Sequence, residues 1–165
     1  MPDQRKYILW GVLCLTAWFF IENSVYKYLP EVIPQTKIRV NGALIFIGIF
    51  LTILIVFKRV LKQHPQASIG FLVVLGTLII GISELIFQTY FQFTLPESEP
   101  TEKVLSLLSS LGISCLIGVL ISLSEAVNLK YKRSGIAFAV NIVCIGVMIL
   151  VLKYFGLPVF PLWQL

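Results

Sequence analysis

Five long runs of Ile, Leu, Val, Phe, Ala and Gly, separated by short polar stretches, organise this chain. They cover approximately residues 7–26, 41–57, 69–90, 104–126 and 136–155. Each approaches the length of about 20 apolar residues that a helix needs to cross the hydrocarbon core of a bilayer. Inside the third and fourth runs the polar and small residues recur every three or four positions, which places them on one face of a helix. The pattern predicts an all-α, polytopic transmembrane helix bundle: five spanning helices, short loops and a single integral membrane domain over residues 1–165. The apolar stretch of the first run stops at Ile21. Prolines punctuate the connections: Pro30 and Pro34 the first, Pro65 the second, Pro96 and Pro100 the third, Pro158 and Pro161 the tail. Thr101 is expected to cap the fourth helix.

Composition narrows the class further. Of 165 residues, 58% are hydrophobic and 13% charged, with a mean hydropathy of +0.92. That leaves too little polar surface for a soluble domain. Cys14, Cys115 and Cys144 each lie inside an apolar run and form no CxxC, so they read as small hydrophobes, not disulfides or metal ligands. The start, Met1 to Lys6 followed by an apolar run, resembles a signal peptide. No small-x-small cleavage site follows, and an uncleaved signal-anchor helix is expected.

Charge then predicts orientation. With five spans, Arg5, Lys6, Lys58, Arg59, Lys62, Lys130, Lys132 and Arg133 fall on one side, and Lys27, Lys37, Arg39, Lys103 and Lys153 on the other with the acidic loop of Glu97, Glu99 and Glu102. The positive-inside rule puts the N-terminus in the cytoplasm and the C-terminus outside, in a membrane whose compact occupant suits a bacterial cytoplasmic membrane. Tyr26, Tyr28, Tyr90 and Trp163 would then lie at the outer interface. The net charge of +5 is read as headgroup contact by Lys58, Arg59, Lys62, Lys130, Lys132 and Arg133, each contributing about 1 kcal/mol near an anionic surface. The basic groups flank apolar helices and form no separate face, so nucleic acid is not an expected partner. The two basic turns, Lys58-Arg59 and Lys130-Tyr131-Lys132-Arg133, echo one another, although such turns are generic to membrane proteins.

Glu84 is the most informative single residue, because it lies within a run that is otherwise almost unbroken Ile, Leu, Val, Phe and Gly. A charged group at mid-membrane costs about 2.5–3.5 kcal/mol on insertion scales, so it needs a partner, a proton or a task. Thr77, Gly81, Glu84, Gln88 and Gln92 share one helical face that should turn into the bundle. Glu22 is expected at a similar depth in the first span. Two carboxyls brought together there would hold a proton between them, which makes Glu84, Glu22 and Gln88 candidates for proton or cation binding. Interhelical hydrogen bonding is the plainer reading of the same residues.

In the fourth run Ser110, Ser114, Gly118, Ser122 and Ala126 recur at every fourth position. Such a row lets helix backbones approach closely, which is what drives association in lipid, so it is expected to be a packing face toward another span, a second copy or another protein. A catalytic serine would need a base, and no His or Lys lies within the membrane core to supply one. Glu125 and Asn128 are expected at the cytoplasmic surface beside the basic turn, and Asn141 in an interhelical hydrogen bond.

The remaining inventory excludes several chemistries. The single histidine is His64 and the single aspartate is Asp3, both outside the apolar runs, so bis-histidine haem, His-based zinc and paired-aspartate catalysis lack their residues. No Walker A, GxSxG or GxGxxG sequence occurs. No catalytic residue, cofactor or metal is expected. Two functions remain as expectations. The first is a non-enzymatic integral membrane subunit or accessory protein packing against other membrane chains or itself. The alternative is a small proton- or cation-coupled transporter using an intramembrane glutamate.

Overall fold

The computed structural model describes residues 4–28, 34–94, 100–131 and 135–154, all but the second connection helical. The helices are α1 (Gln4–Tyr28), α2 (Pro34–Gln63), α3 (Ile69–Thr94), α4 (Pro100–Tyr131) and α5 (Gly135–Tyr154). The first four are long and apolar enough to cross a membrane, whereas the apolar part of α5, Gly135–Val151, is shorter. Pro30, Pro96, Pro158, Pro161 and Trp163 lie outside the described residues.

Two helices run past their apolar cores. Pro34 and Pro100, expected in connections, are instead the first residues of α2 and α4. Proline suits a first helical position, since its missing N–H would have had no intrahelical partner there. Thr101 consequently sits inside the first turn of α4 and is not its cap. At its other end α2 continues through Lys58 and Arg59 to Gln63, because long basic side chains are good helix formers that can snorkel to the interface. The connection to α3 is therefore brief. It turns at Pro65 and Gln66, and Ser68 caps α3 by accepting a 3.1 Å hydrogen bond from the Phe71 N–H.

The chain runs up and down. At one end of the bundle the Tyr7 hydroxyl donates to Gln63; further along, the Trp18 indole donates to the Leu44 carbonyl at 2.9 Å. Those two bonds set α1 and α2 antiparallel. The contact of Gly11 with Ile79 and the ring pairs Phe19–Phe87 and Phe20–Tyr90 set α1 and α3 parallel. α3 packs most extensively on α4 and next on α1, while α2 packs on α1 and touches α4 and α3, which closes a four-helix bundle. α5 lies outside it and, among the described residues, packs on α4 alone.

Leu15, Ile53, Phe57, Leu72, Leu75, Ile79 and Ala126 meet in the centre of this bundle. The outward faces are apolar too, with Leu9, Leu13, Ile55, Val74, Phe138 and Leu150 exposed. A protein apolar inside and outside suits a lipid surround.

Two close approaches depend on glycine. Trp18 lies directly over Gly48, where a Cβ would stand 2.1 Å from the indole ring. At Gly76 a Cβ would stand 2.1 Å from the Ser122 hydroxyl and 3.0 Å from the tip of the Phe57 ring. Gly76→Ala is therefore expected to lower stability by about 1–3 kcal/mol through overpacking. Adding Ser122→Gly should restore part of the loss, measured as thermal unfolding in detergent; additive losses would show that the two positions do not touch.

Candidate functional site

The polar face of α3 turns toward α4 in a single antiparallel register. Gly81 lies beside Cys115, the Thr77 backbone beside Gly118, and Gly76 beside Ser122. One turn further along, the half-buried Glu84 carboxylate oxygen Oε1 accepts a hydrogen bond from the Ser110 hydroxyl at 2.8 Å and another from the Gln88 amide at 2.8 Å. Gln88 reaches it because residues four apart on a helix are neighbours. Two of the three expected ion-binding candidates are thus brought together, with a serine from the small-residue row of α4 as third member. That partnership was missed in the sequence, although the signal was present: once α3 and α4 are set antiparallel, the same register that pairs Gly76 with Ser122 carries Ser110 to Glu84. The Gln92 side chain lies outside the described residues.

Glu22 is elsewhere. It continues the buried stripe of Val12, Leu15 and Phe19 on α1 and is itself only 5% exposed. The Phe19–Phe87 pair sets it level with Tyr90, some six residues beyond Glu84, or about 9 Å at about 1.5 Å per residue. Glu84 is moreover bonded toward α4. The equal depth expected of the two carboxyls is not what the register of α1 on α3 produces. Oε1 of Glu22 has no hydrogen-bond partner among the described residues, an uncommon state for a buried polar atom.

The small-residue row on α4 is filled by α3. Gly118 packs on Ile80 and Thr77 at ordinary van der Waals distance, and Ser122 is fully buried against Gly76. Ser114, between Ser110 and Gly118 in the row, is half-buried, and Ala126 belongs to the central core.

A second polar group joins α5 to the bundle. The Ser124 hydroxyl donates to Asn141 at 2.7 Å, and the Asn141 amide donates to Asn128 at 2.9 Å. Glu125 is 3% exposed, so it is not the surface residue the sequence suggested; α4 continues to Tyr131, carrying that position between helices.

Lys58, Arg59 and Lys62 are exposed and Lys130 half-exposed, while Lys132 and Arg133 lie outside the described residues. The Arg59 guanidinium stands 5.5 Å over the Trp10 ring. Among the described residues no three His, Cys, Asp or Glu side chains converge, and Cys14, Cys115 and Cys144 are free thiols. Between α2 and α5 an apolar cleft of about 400 Å³ is lined by Phe46, Phe50, Leu120, Cys144 and Met148, with the Ser124 hydroxyl beside them.

Glu84→Gln keeps an oxygen acceptor for both donors and should leave stability nearly unchanged. Glu84→Leu and Ser110→Ala should each destabilise, and the double variant should lose about 0.6–2 kcal/mol less than the sum, the range of interhelical hydrogen bonds in membranes. Strict additivity in a double-mutant cycle would remove the Glu84–Ser110 link.

No known protein family, curated protein or solved structure matches this chain.

Proposed function

We propose that this chain is a non-enzymatic integral membrane subunit or accessory protein that packs against other membrane helices. The observation that supports it most is how the intramembrane polar groups are engaged. Glu84, Gln88 and Ser110 bond one another, as do Ser124, Asn128 and Asn141. The small-residue face of α4 is already occupied by α3, so a partner would meet the apolar surface of α5 and the cleft between α5 and α2. In this reading α5 is the fifth span, the host is a bacterial cytoplasmic membrane, and the basic turns hold the N-terminus in the cytoplasm and the C-terminus outside.

Photo-crosslinking in native membranes tests it. A crosslinker at Leu150 on the outward face of α5 should give a defined heavier species, either a second copy or another chain, and one at Gly118 should give none. Monomer alone from Leu150, with nothing retained after gentle detergent extraction, would overturn the subunit reading.

A proton- or cation-coupled transporter is the second reading, and Glu22 is the observation that favours it. A buried carboxyl with an unpartnered oxygen can take up a proton or a cation, whereas Glu84 is already engaged by two donors. In proteoliposomes loaded with a pH-sensitive dye, Glu22→Gln would abolish proton flux if this reading holds. An unchanged flux, or no flux from the unaltered protein, would exclude it.

A further inference from the structure

At the end of the bundle where α1 begins and α2 ends, the two helices part around a pocket of about 240 Å³ lined by Lys6, Tyr7, Trp10, Val56, Arg59 and Gln63. Its lining differs from the rest of the molecular surface, which is mostly aliphatic. Two cations border it, Lys6 from α1 and Arg59 from α2. Val56 is buried and closes it on the side of the core.

Tyr7 is only 7% exposed. Its hydroxyl is held by Gln63 and its ring meets His64 edge-on with centroids 6.4 Å apart, so that wall is fixed by packing on the last turn of α2. Trp10 supplies the opposite wall, with the Arg59 guanidinium held over its ring. The stacking orients the planar fork of Arg59 and leaves its N–H donors free to point elsewhere.

The geometry points to a binding site for the phosphate of one anionic phospholipid headgroup in this pocket. Guanidinium and ammonium groups from two helices converging on one space are the chemistry of a phosphate oxyanion. Basic pockets between transmembrane helices are where anionic headgroups bind. Trp and Tyr at that level match the membrane interface, where amphipathic rings settle. The volume also decides the ligand's size. Drug-sized ligands occupy about 300–1,000 Å³, so this pocket takes a headgroup and leaves the acyl chains along the apolar outer faces of α1 and α2, where Leu9, Leu13 and Ile55 are exposed. The assignment goes beyond general attraction of basic turns to a charged surface, because it names one pair of cations and excludes others on the same chain.

Lipid titrations of the full-length protein in detergent, read by native mass spectrometry, test it with phosphatidylglycerol and phosphatidylcholine as probes. The unaltered protein should bind the anionic lipid about tenfold more tightly than the zwitterionic one, and Lys6→Gln with Arg59→Gln should abolish that preference. Lys62→Gln with Lys130→Gln removes the same charge outside the pocket and should weaken binding less than about threefold. Lys6→Gln alone, at an exposed position, covers the case in which the double variant fails to fold, with an expected loss of about fivefold. Equal losses from the two double variants, or equal binding of the two lipids by the unaltered protein, would overturn the site. Inorganic phosphate binding to the unaltered protein with no preference between the lipids would assign the pocket to free phosphate and overturn the lipid assignment.

Discussion

The bundle depends on how closely α3 and α4 approach. In lipid no water is released when two apolar helices meet, so association must come from dense van der Waals contact and from hydrogen bonds that hydrocarbon cannot offer. The interface supplies both in one register. Gly76 takes Ser122 against its bare backbone, Gly81 takes Cys115, and Gly118 takes Thr77 and Ile80. Phe57 of α2 reaches the same Gly76, so the close approach also seats the largest fully buried side chain. Spreading these two helices by the width of a methyl group would disturb α2 as well as the α3–α4 pair.

The same register disposes of the polar groups. Ser110 arrives opposite Glu84 because Ser122 is already opposite Gly76, and the carboxylate gains two donors. At the far side of α4, Ser124 and Asn128 hold Asn141, so one helix carries polar contacts on two faces. Glu22 breaks this pattern. It occupies a core position on α1, just beyond the aromatic cluster of Phe19, Phe20, Phe87 and Tyr90, and one of its oxygens is unmatched. A buried carboxyl with an unmatched oxygen carries a desolvation cost and stands apart from the hydrogen-bonded groups.

Much of this architecture is legible in the amino-acid pattern, and the parts that are not have identifiable causes. Hydropathy located all five helices, because apolar length is a one-dimensional property of the chain. It underestimated α2 and α4, since Pro34 and Pro100 look like breaks when a proline's position within a first turn is unknown. The inward turn of Glu84 and the close-packing role of the α4 row came from helical spacing alone. Which helix filled that row did not, because every antiparallel neighbour was a candidate. Glu22 and Glu84 were set at one depth by counting from the midpoints of their runs. The true offset arises from the stacking of Phe19 on Phe87, a tertiary fact with no one-dimensional signature. Glu125 failed for the same reason: it lies next to a basic turn in sequence but between helices in space.

In α5, packing and hydrogen bonding carry unequal shares. Its seam against α4 is a narrow stripe of Ala137, Asn141, Cys144, Met148 and Val151, and most of its remaining surface is open. So little buried area orients a helix weakly in lipid, where area itself is not rewarded. The bonds from Asn141 to Ser124 and Asn128 do what the area cannot, fixing rotation and height at one point while the rest of the helix stays uncovered. Distance from α2 then opens the apolar cleft beside it. Under the proposed function, a helix held on α4 by these polar contacts, with its apolar flanks uncovered, is the part of this chain that would meet a partner.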